Sequence, residues 1–196
     1  LGVGATCMFL NTKVTSEEIG FYLEDSRAKA VITNAAVAER MPSNSGRLKT
    51  TLIIDHEETK ALIRQRSGEP ALEATTEEDF AIWLYSSGST GAPKAAVHRA
   101  RDFIYNTERY AKEILEMKES DVTLSVPKLF FGYATGSNLM FPFYFGGSAI
   151  LFPDRPTPPR LFDLIEKYKA TVLINVPTMI AQMANLYEQE DFNVSS

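Results

Sequence analysis

The stretch that most constrains this chain is an apolar, aromatic segment, Phe80-Ala81-Ile82-Trp83-Leu84-Tyr85, that runs directly into Ser86-Ser87-Gly88-Ser89-Thr90-Gly91-Ala92-Pro93-Lys94. The first part, bounded by the acidic run Glu77-Glu78-Asp79, reads as a buried strand. In the second part Gly88 and Gly91 lack Cβ atoms, so the backbone can turn tightly and bring its N–H groups close to an anion. Ser86, Ser87, Ser89, Thr90 and the Lys94 ammonium add further donors. That inventory suits phosphate, presented at the carboxyl end of a strand where open α/β sheets bind ligands.

A Walker A loop would need a Ser or Thr directly after a Gly-Lys pair to hold magnesium. Here Pro93 precedes Lys94 and Ala95 follows it, and the two glycines stand only three apart, so the pattern argues against an ordinary P-loop. The plainer alternative is a polar surface loop between two strands, because Ser, Thr, Gly and Pro are loop residues in any case. An unbroken hydroxyl–glycine block closed by Pro-Lys is a narrow pattern for a spacer.

Ser86 to Lys94 resembles the signature loop of the acyl-adenylate-forming (AMP-binding) superfamily of acyl-CoA ligases, luciferases and peptide-synthetase adenylation domains. The likeness extends upstream through Leu1 to Asn11 and Glu24 to Ile32, and downstream through Lys128-Leu129-Phe130-Phe131-Gly132-Tyr133 and Asn175-Val176-Pro177-Thr178. The Leu-Phe-Phe-x-Tyr run is most similar to that of benzoate-CoA and other aryl-CoA ligases. One position departs: the family usually carries glycine where this chain has Ala95, a change that costs little if the backbone φ there is negative.

The resemblance implies that Ser86, Ser87, Gly88, Ser89, Thr90, Gly91 and Lys94 bind the phosphates of ATP, with Mg2+ as companion ion and CoA as a further co-substrate. It implies that Phe131 and Tyr133, with Gly132 between them, line the substrate site against the aromatic acyl group and the nucleotide. Taken without it, an aromatic cluster more often fills a core. Gly132, between two aromatics, is expected to leave room for a ring substituent. Lys128 is read as a solvated lysine at a strand end, with contact to a substrate carboxylate as the alternative.

Only two histidines occur. His98 is expected to be a structural neighbour of the loop, since a carboxylate is already ionised at neutral pH and adenylation needs no strong base. His56, beside Glu57 and Glu58, is expected on the surface. No zinc-like spacing and no Ser-His-Asp arrangement stands out. No catalytic residue and no resident metal is assigned.

Along the chain, Ala5 to Leu10 reads as a strand. Thr15-Ser16-Glu17-Glu18 forms a capping box that opens a helix to about Asp25. Ala30 to Thr33 is a strand, Ala35 to Met41 a short helix, residues 42–46 a loop, and Thr51 to Asp55 a strand covered on both faces. Arg64 to Asp79 is a polar surface excursion. Phe103, Ile104, Thr107, Ala111, Ile114 and Leu115 recur at helical spacing as an inward face, opposite Arg101, Glu108, Arg109, Lys112 and Glu113. Val122 to Val126 is a strand, and Gly136 to Phe145 is an apolar run closed by Gly146-Gly147. Ser148 to Phe152, a helix capped by Thr157 with Pro158 in its first turn and Leu161, Leu164, Ile165 and Tyr168 inward, and Thr171 to Val176 make one strand-helix-strand unit. The expected fold is α/β, a mainly parallel sheet with flanking helices, as in the large amino-terminal domain of an adenylate-forming ligase.

The 196 residues, 44% hydrophobic, suit a soluble globular protein, and no apolar run approaches the roughly 20 residues that span a bilayer. A net charge of −5 without a basic cluster argues against nucleic acid. The single cysteine, Cys7, cannot close an internal disulfide, which fits a cytoplasmic location. The chain starts on Leu1 and is expected to be a piece of a longer protein, inactive or nearly so alone. It would divide into an upstream lobe, 1–79, and a lobe with signature loop and acyl pocket, 80–196, without a carboxyl-terminal domain. Two readings stay open beside the aryl-CoA ligase: a ligase for a non-aromatic acid, and a non-catalytic binding module.

Overall fold

A computed structural model describes residues 2–43, 47–66, 68, 71–86, 93–189, 192 and 194. The chain forms two compact units, residues 10–72 and residues 1–9 with 73–196. Strand β1 (Cys7–Met8) pairs in parallel with a strand that follows residue 79. The first nine residues therefore belong with the second unit, and the units do not divide at residue 79.

In the unit of residues 10–72, helix α1 (Ser16–Asp25) opens on the expected capping box. The Thr15 side chain accepts from the Glu18 N–H at 3.2 Å, and a Glu18 carboxylate oxygen accepts from the Thr15 N–H at 2.7 Å. Ile19, Tyr22 and Leu23 recur at helical spacing and are buried. Strand β2 (Ala30–Thr33) is followed by a helix α2 shorter than predicted (Ala35–Ala38), capped by the Asn34 side chain on the Val37 N–H at 2.9 Å. Strand β3 (Thr50–Ile53) pairs with β2 in parallel. The expectation that this strand is covered on both faces is wrong: Thr50 and Thr51 are exposed and Ile32 of its partner is 73% exposed. Helix α3 (Glu57–Gln65), absent from the sequence reading, starts after the exposed His56. Glu57 sits in its first turn and binds Lys60 at 2.7 Å and Arg64 at 3.1 Å.

Among its described residues the other unit forms two sheets. In the first, β4 (Phe80–Ser86) pairs in parallel with β1 and antiparallel with β5 (Lys94–Arg99). Ala81 and Ile82 are buried, while Phe80 stays 58% exposed at the strand's start. Helix α4 (Ala100–Asn106) continues into a π-helical turn, Thr107–Lys112. The predicted inward face is only partly correct. Thr107 and Ala111 are buried, but Ile104, Ile114 and Leu115 are exposed, and Met117 enters the core instead. A π turn takes more residues per revolution than an α turn, so the stripe read at the α-helical spacing drifts outward beyond it.

The second sheet has β6 (Val122–Ser125) at its centre. Helix α5 (Gly132–Thr135), a π-helical turn (Gly136–Met140) and α6 (Phe141–Phe145) lead to β7 (Ser148–Ile150). Helix α7 (Pro158–Tyr168) then crosses to β8 (Val172–Ile174), and α8 (Pro177–Tyr187) follows. Both β7 and β8 pair with β6 in parallel. Helix α6 stops on Gly146 at φ 75°, a left-handed conformation that glycine adopts freely. A Cβ on Gly147 would stand 2.8 Å from the Asp121 carbonyl oxygen, so only glycine fits there.

The core of this sheet joins Leu124 and Ile150 to Leu161, Phe162, Leu164 and Ile165 of α7 and Met183 of α8. Pro158 takes the first turn of α7 as expected, although Thr157 caps without a side-chain hydrogen bond. Tyr168 does not point inward: it is 47% exposed beneath the Lys167 ammonium, and Phe162, stacked 4.1 Å from Phe192, takes the buried place. Four of the five strand pairings among the described residues are parallel, which bears out the mainly parallel α/β fold. No helix among the described residues is long and apolar enough to cross a membrane.

Candidate active site

The phosphate-suited block falls in sequence between the paired ends of β4 and β5. Register runs Leu84 to Ala96, Tyr85 to Ala95 and Ser86 to Lys94, so the chain reverses direction between Ser86 and Lys94. The returning strand was missed because Lys-Ala-Ala-Val-His-Arg shows no clean alternation of apolar and polar residues. Ser86 and Lys94 are both exposed. Ser87, Gly88, Ser89, Thr90 and Gly91 lie outside the described residues. Ala95 takes its place in the β5 ladder and is not among the residues with positive φ, so its methyl group meets no backbone penalty.

The other end of the pair is held by charge. Glu78 accepts from both Arg99 and Arg101, and an Asp102 oxygen accepts from the Arg99 N–H at 2.9 Å. His98, opposite Ile82, places Nδ1 3.5 Å from the same Asp102 oxygen and its ring 6.4 Å from Phe103. Four residues of extended strand separate it from Lys94, a span of about 13 Å. His98 is thus part of the framework below the turn.

The aromatic motif follows β6. The Lys128 carbonyl accepts from the Phe131 N–H at 2.9 Å, closing a turn, and Phe131 stands as the extended N-cap of α5. The Thr135 hydroxyl donates to the Leu129 carbonyl at 2.7 Å and to that of Phe131 at 3.0 Å, while Ser137 donates to the Tyr133 carbonyl at 2.5 Å. These bonds fix the backbone and leave the rings outside the core: Phe131 is 53% and Tyr133 55% exposed. Phe130 and Phe131 pack with centroids 4.5 Å apart. Gly132 approaches β4, where a Cβ on it would meet Leu84 Cδ1 at 3.0 Å. The aromatic motif therefore abuts the strand that leads into the hydroxyl–glycine block, a proximity across nearly fifty residues that no local pattern announces.

The Lys128 ammonium is engaged by the protein and is not left to solvent. Its ammonium donates to the carbonyls of Phe152 at 2.7 Å and Asp154 at 2.8 Å and lies 3.7 Å from the centre of the Phe152 ring. Burial holds its pKa below the ordinary lysine range, against the opposing field of Asp154. A cavity of about 290 Å³ opens at the carboxyl ends of β6 and β7, lined by Ser125, Lys128, Asn138 and Phe152 among others. Among the described residues no group of three or more His, Cys, Asp or Glu side chains could hold a metal ion.

The site thus combines a mainly parallel α/β fold, the paired strand ends Ser86 and Lys94, and an exposed aromatic motif packed beside β4. Residues 1–195 match the AMP-binding enzyme family, and the chain belongs to it. It is 34% identical over 186 residues to the benzoate–CoA ligase of Thauera aromatica, and 33% identical over 190 residues to the 4-hydroxybenzoate–CoA/benzoate–CoA ligase of Rhodopseudomonas palustris. Each match covers 92% of this chain and 35% of the relative's length. The chain thus spans about a third of the proteins it resembles. The crystal structure of the anthranilate CoA ligase AuaEII in complex with anthranoyl-AMP superposes with a TM-score of 0.90 at 28% identity, covering 98% of this chain and 39% of that one. The resemblance drawn from the motifs is borne out.

Proposed function

We propose that this chain is the part of an aryl-CoA ligase that holds the phosphates of ATP and the ring of an aromatic acid. The whole protein would join the carboxylate to the α-phosphorus of ATP, expel pyrophosphate, and let the thiol of CoA displace AMP. The observation that carries the reading is the approach of Gly132 to Leu84, which sets the aromatic motif against the strand that feeds the Ser86–Lys94 turn. An acid ring held at one and a triphosphate at the other would bring carboxylate and α-phosphorus together.

In this reading backbone N–H groups around Gly88 to Gly91, the hydroxyls of Ser86, Ser87, Ser89 and Thr90, and Lys94 hold the phosphate oxygens. Each charge-assisted bond contributes about 1.5–3 kcal/mol. Magnesium accompanies the triphosphate and would neutralise charge on the leaving pyrophosphate, held chiefly by phosphate oxygens. Phe131 and Tyr133 lay their exposed faces against the aryl ring, and the acid, ionised near neutral pH, attacks without a protein base. In this reading the residues that bind adenine and ribose lie elsewhere in the whole protein, and the chain alone is inactive or nearly so.

The test is pyrophosphate exchange by the full-length protein across benzoate, hydroxybenzoates, aminobenzoate and short fatty acids. Exchange driven by the aromatic acids supports the assignment. Faster exchange with fatty acids moves it to a non-aromatic ligase, and a folded protein that exchanges with none of them, nor binds Mg-ATP, is a binding module.

A further inference from the structure

Phe131 and Tyr133 are about half exposed, so packing alone does not fix them. What holds their turn in place is a short list of bonds, and one runs to the far side of the cavity. Lys128 lies three residues before Phe131 and bonds to it through its own carbonyl, while its ammonium reaches across to the loop after β7 and takes the carbonyls of Phe152 and Asp154. That second loop is pinned in turn, because the Asp154 carboxylate lies 3.3 Å from the Arg160 guanidinium at the start of α7. The stem of Lys128 lines the cavity between the two loops.

We propose, resting on the aryl-CoA ligase reading, that Lys128 is a positioning residue of the acyl site: its ammonium clasps the loop after β6 to the loop after β7 and so sets where Phe131 and Tyr133 stand. Two carbonyls and a ring already occupy the ammonium, which turns it away from the role of carboxylate partner. Its depressed pKa agrees with a group withdrawn from water rather than one waiting for an anion in the open. Replacement by methionine keeps the stem's volume and removes the two bonds. The Asp154 side of the contact is exposed, so water can take over the orphaned carbonyls and the fold survives.

The experiment compares the full-length protein with Lys128→Met and Lys128→Arg in two reactions: pyrophosphate exchange with benzoate, and thioester formation from preformed benzoyl-AMP and CoA, where no free carboxylate exists. Lys128→Met is expected to raise KM for benzoate and for benzoyl-AMP by similar factors, about tenfold. KM for ATP should stay within about twofold and discrimination between benzoate and hydroxybenzoates should weaken. Lys128→Arg, which keeps a donor for both carbonyls, should recover much of the loss. A defect confined to the free acid makes Lys128 a carboxylate contact and overturns the proposal. A lowered melting temperature with unchanged KM values and unchanged discrimination overturns it too, as a clasp without effect on the site. If the unaltered protein turns over no aromatic acid, the underlying reading fails and this one with it; an active protein indifferent to Lys128→Met refutes this one alone.

Discussion

Ser86 and Lys94 are the last register partners of an antiparallel strand pair, so the hydroxyl that opens the phosphate-suited block and the ammonium that closes it start from the same rung of the ladder. The lysine's reach is set by a strand end rather than by the free length of a loop. Its side chain is exposed.

Lys94→Ala in the full-length protein should therefore weaken use of ATP without loss of stability. Losing one charge-assisted phosphate contact of about 1.5–3 kcal/mol corresponds to about ten- to a hundredfold in kcat/KM for ATP. Steady-state kinetics beside a melting curve checks both halves. An unchanged ATP dependence removes Lys94 from the phosphate site.

Gly132 was expected to make room for a ring substituent, and the contact with Leu84 gives it a second reason to lack a side chain. A methyl group 3.0 Å from Leu84 Cδ1 requires that side-chain end to give by a few tenths of an ångström. Leu84→Ala empties the space, so the double variant Gly132→Ala/Leu84→Ala should be more stable than the sum of the single changes by about 1 kcal/mol. Urea denaturation of the four proteins gives the coupling. Strict additivity means the two residues do not meet in solution.

The parts of this fold legible beforehand are those whose signals are local. Thr15 and Glu18 satisfy each other's backbone donors three residues apart, Pro158 marks a first helical turn, and Gly146 a last one. The apolar run ending at Tyr85 announces a strand by composition alone. What stayed hidden needs partners distant in sequence. Lys94 to Arg99 becomes a strand because β4 offers it a ladder, and β1 shrinks to Cys7–Met8 because only Ile82 and Trp83 lie opposite. Lys128 reads as a surface lysine until Phe152 and Asp154, more than twenty residues on, are brought beside it.

The π-helical turn at Thr107–Lys112 decides which residues enter the core, and that can be tested directly. A regular helix would turn Ile114 and Leu115 inward behind Ala111. Instead Ala111, Met117 and Phe141 pack together, and Ile114 is 66% exposed. Met117→Ala should cost about 2–5 kcal/mol as a core truncation. Ile114→Ala should stay within about 0.5 kcal/mol, as surface changes do. The reverse order would restore the regular helix.

The capping box on α1 gives stability a specific dependence on acid. The Glu18 carboxylate accepts from the Thr15 backbone N–H, and that bond, joined by the Thr15 side chain, holds its pKa below the ordinary glutamate value of 4.5. A carboxyl whose pKa is depressed on folding contributes stability that is complete above its unfolded value and is lost as pH falls through the folded one. Glu18→Gln can still accept the Thr15 bond but carries no charge, so it removes only the ionic share. Denaturation of both proteins should show a gap in favour of Glu18 that is constant above about pH 6 and closes below the ordinary glutamate value, as the carboxylate takes up its proton. The remaining carboxylates titrate in both proteins and cancel in the comparison. A gap that widened toward acid would mean that folding raises the pKa of Glu18, and the capping box could not then be the bond that holds the start of this helix.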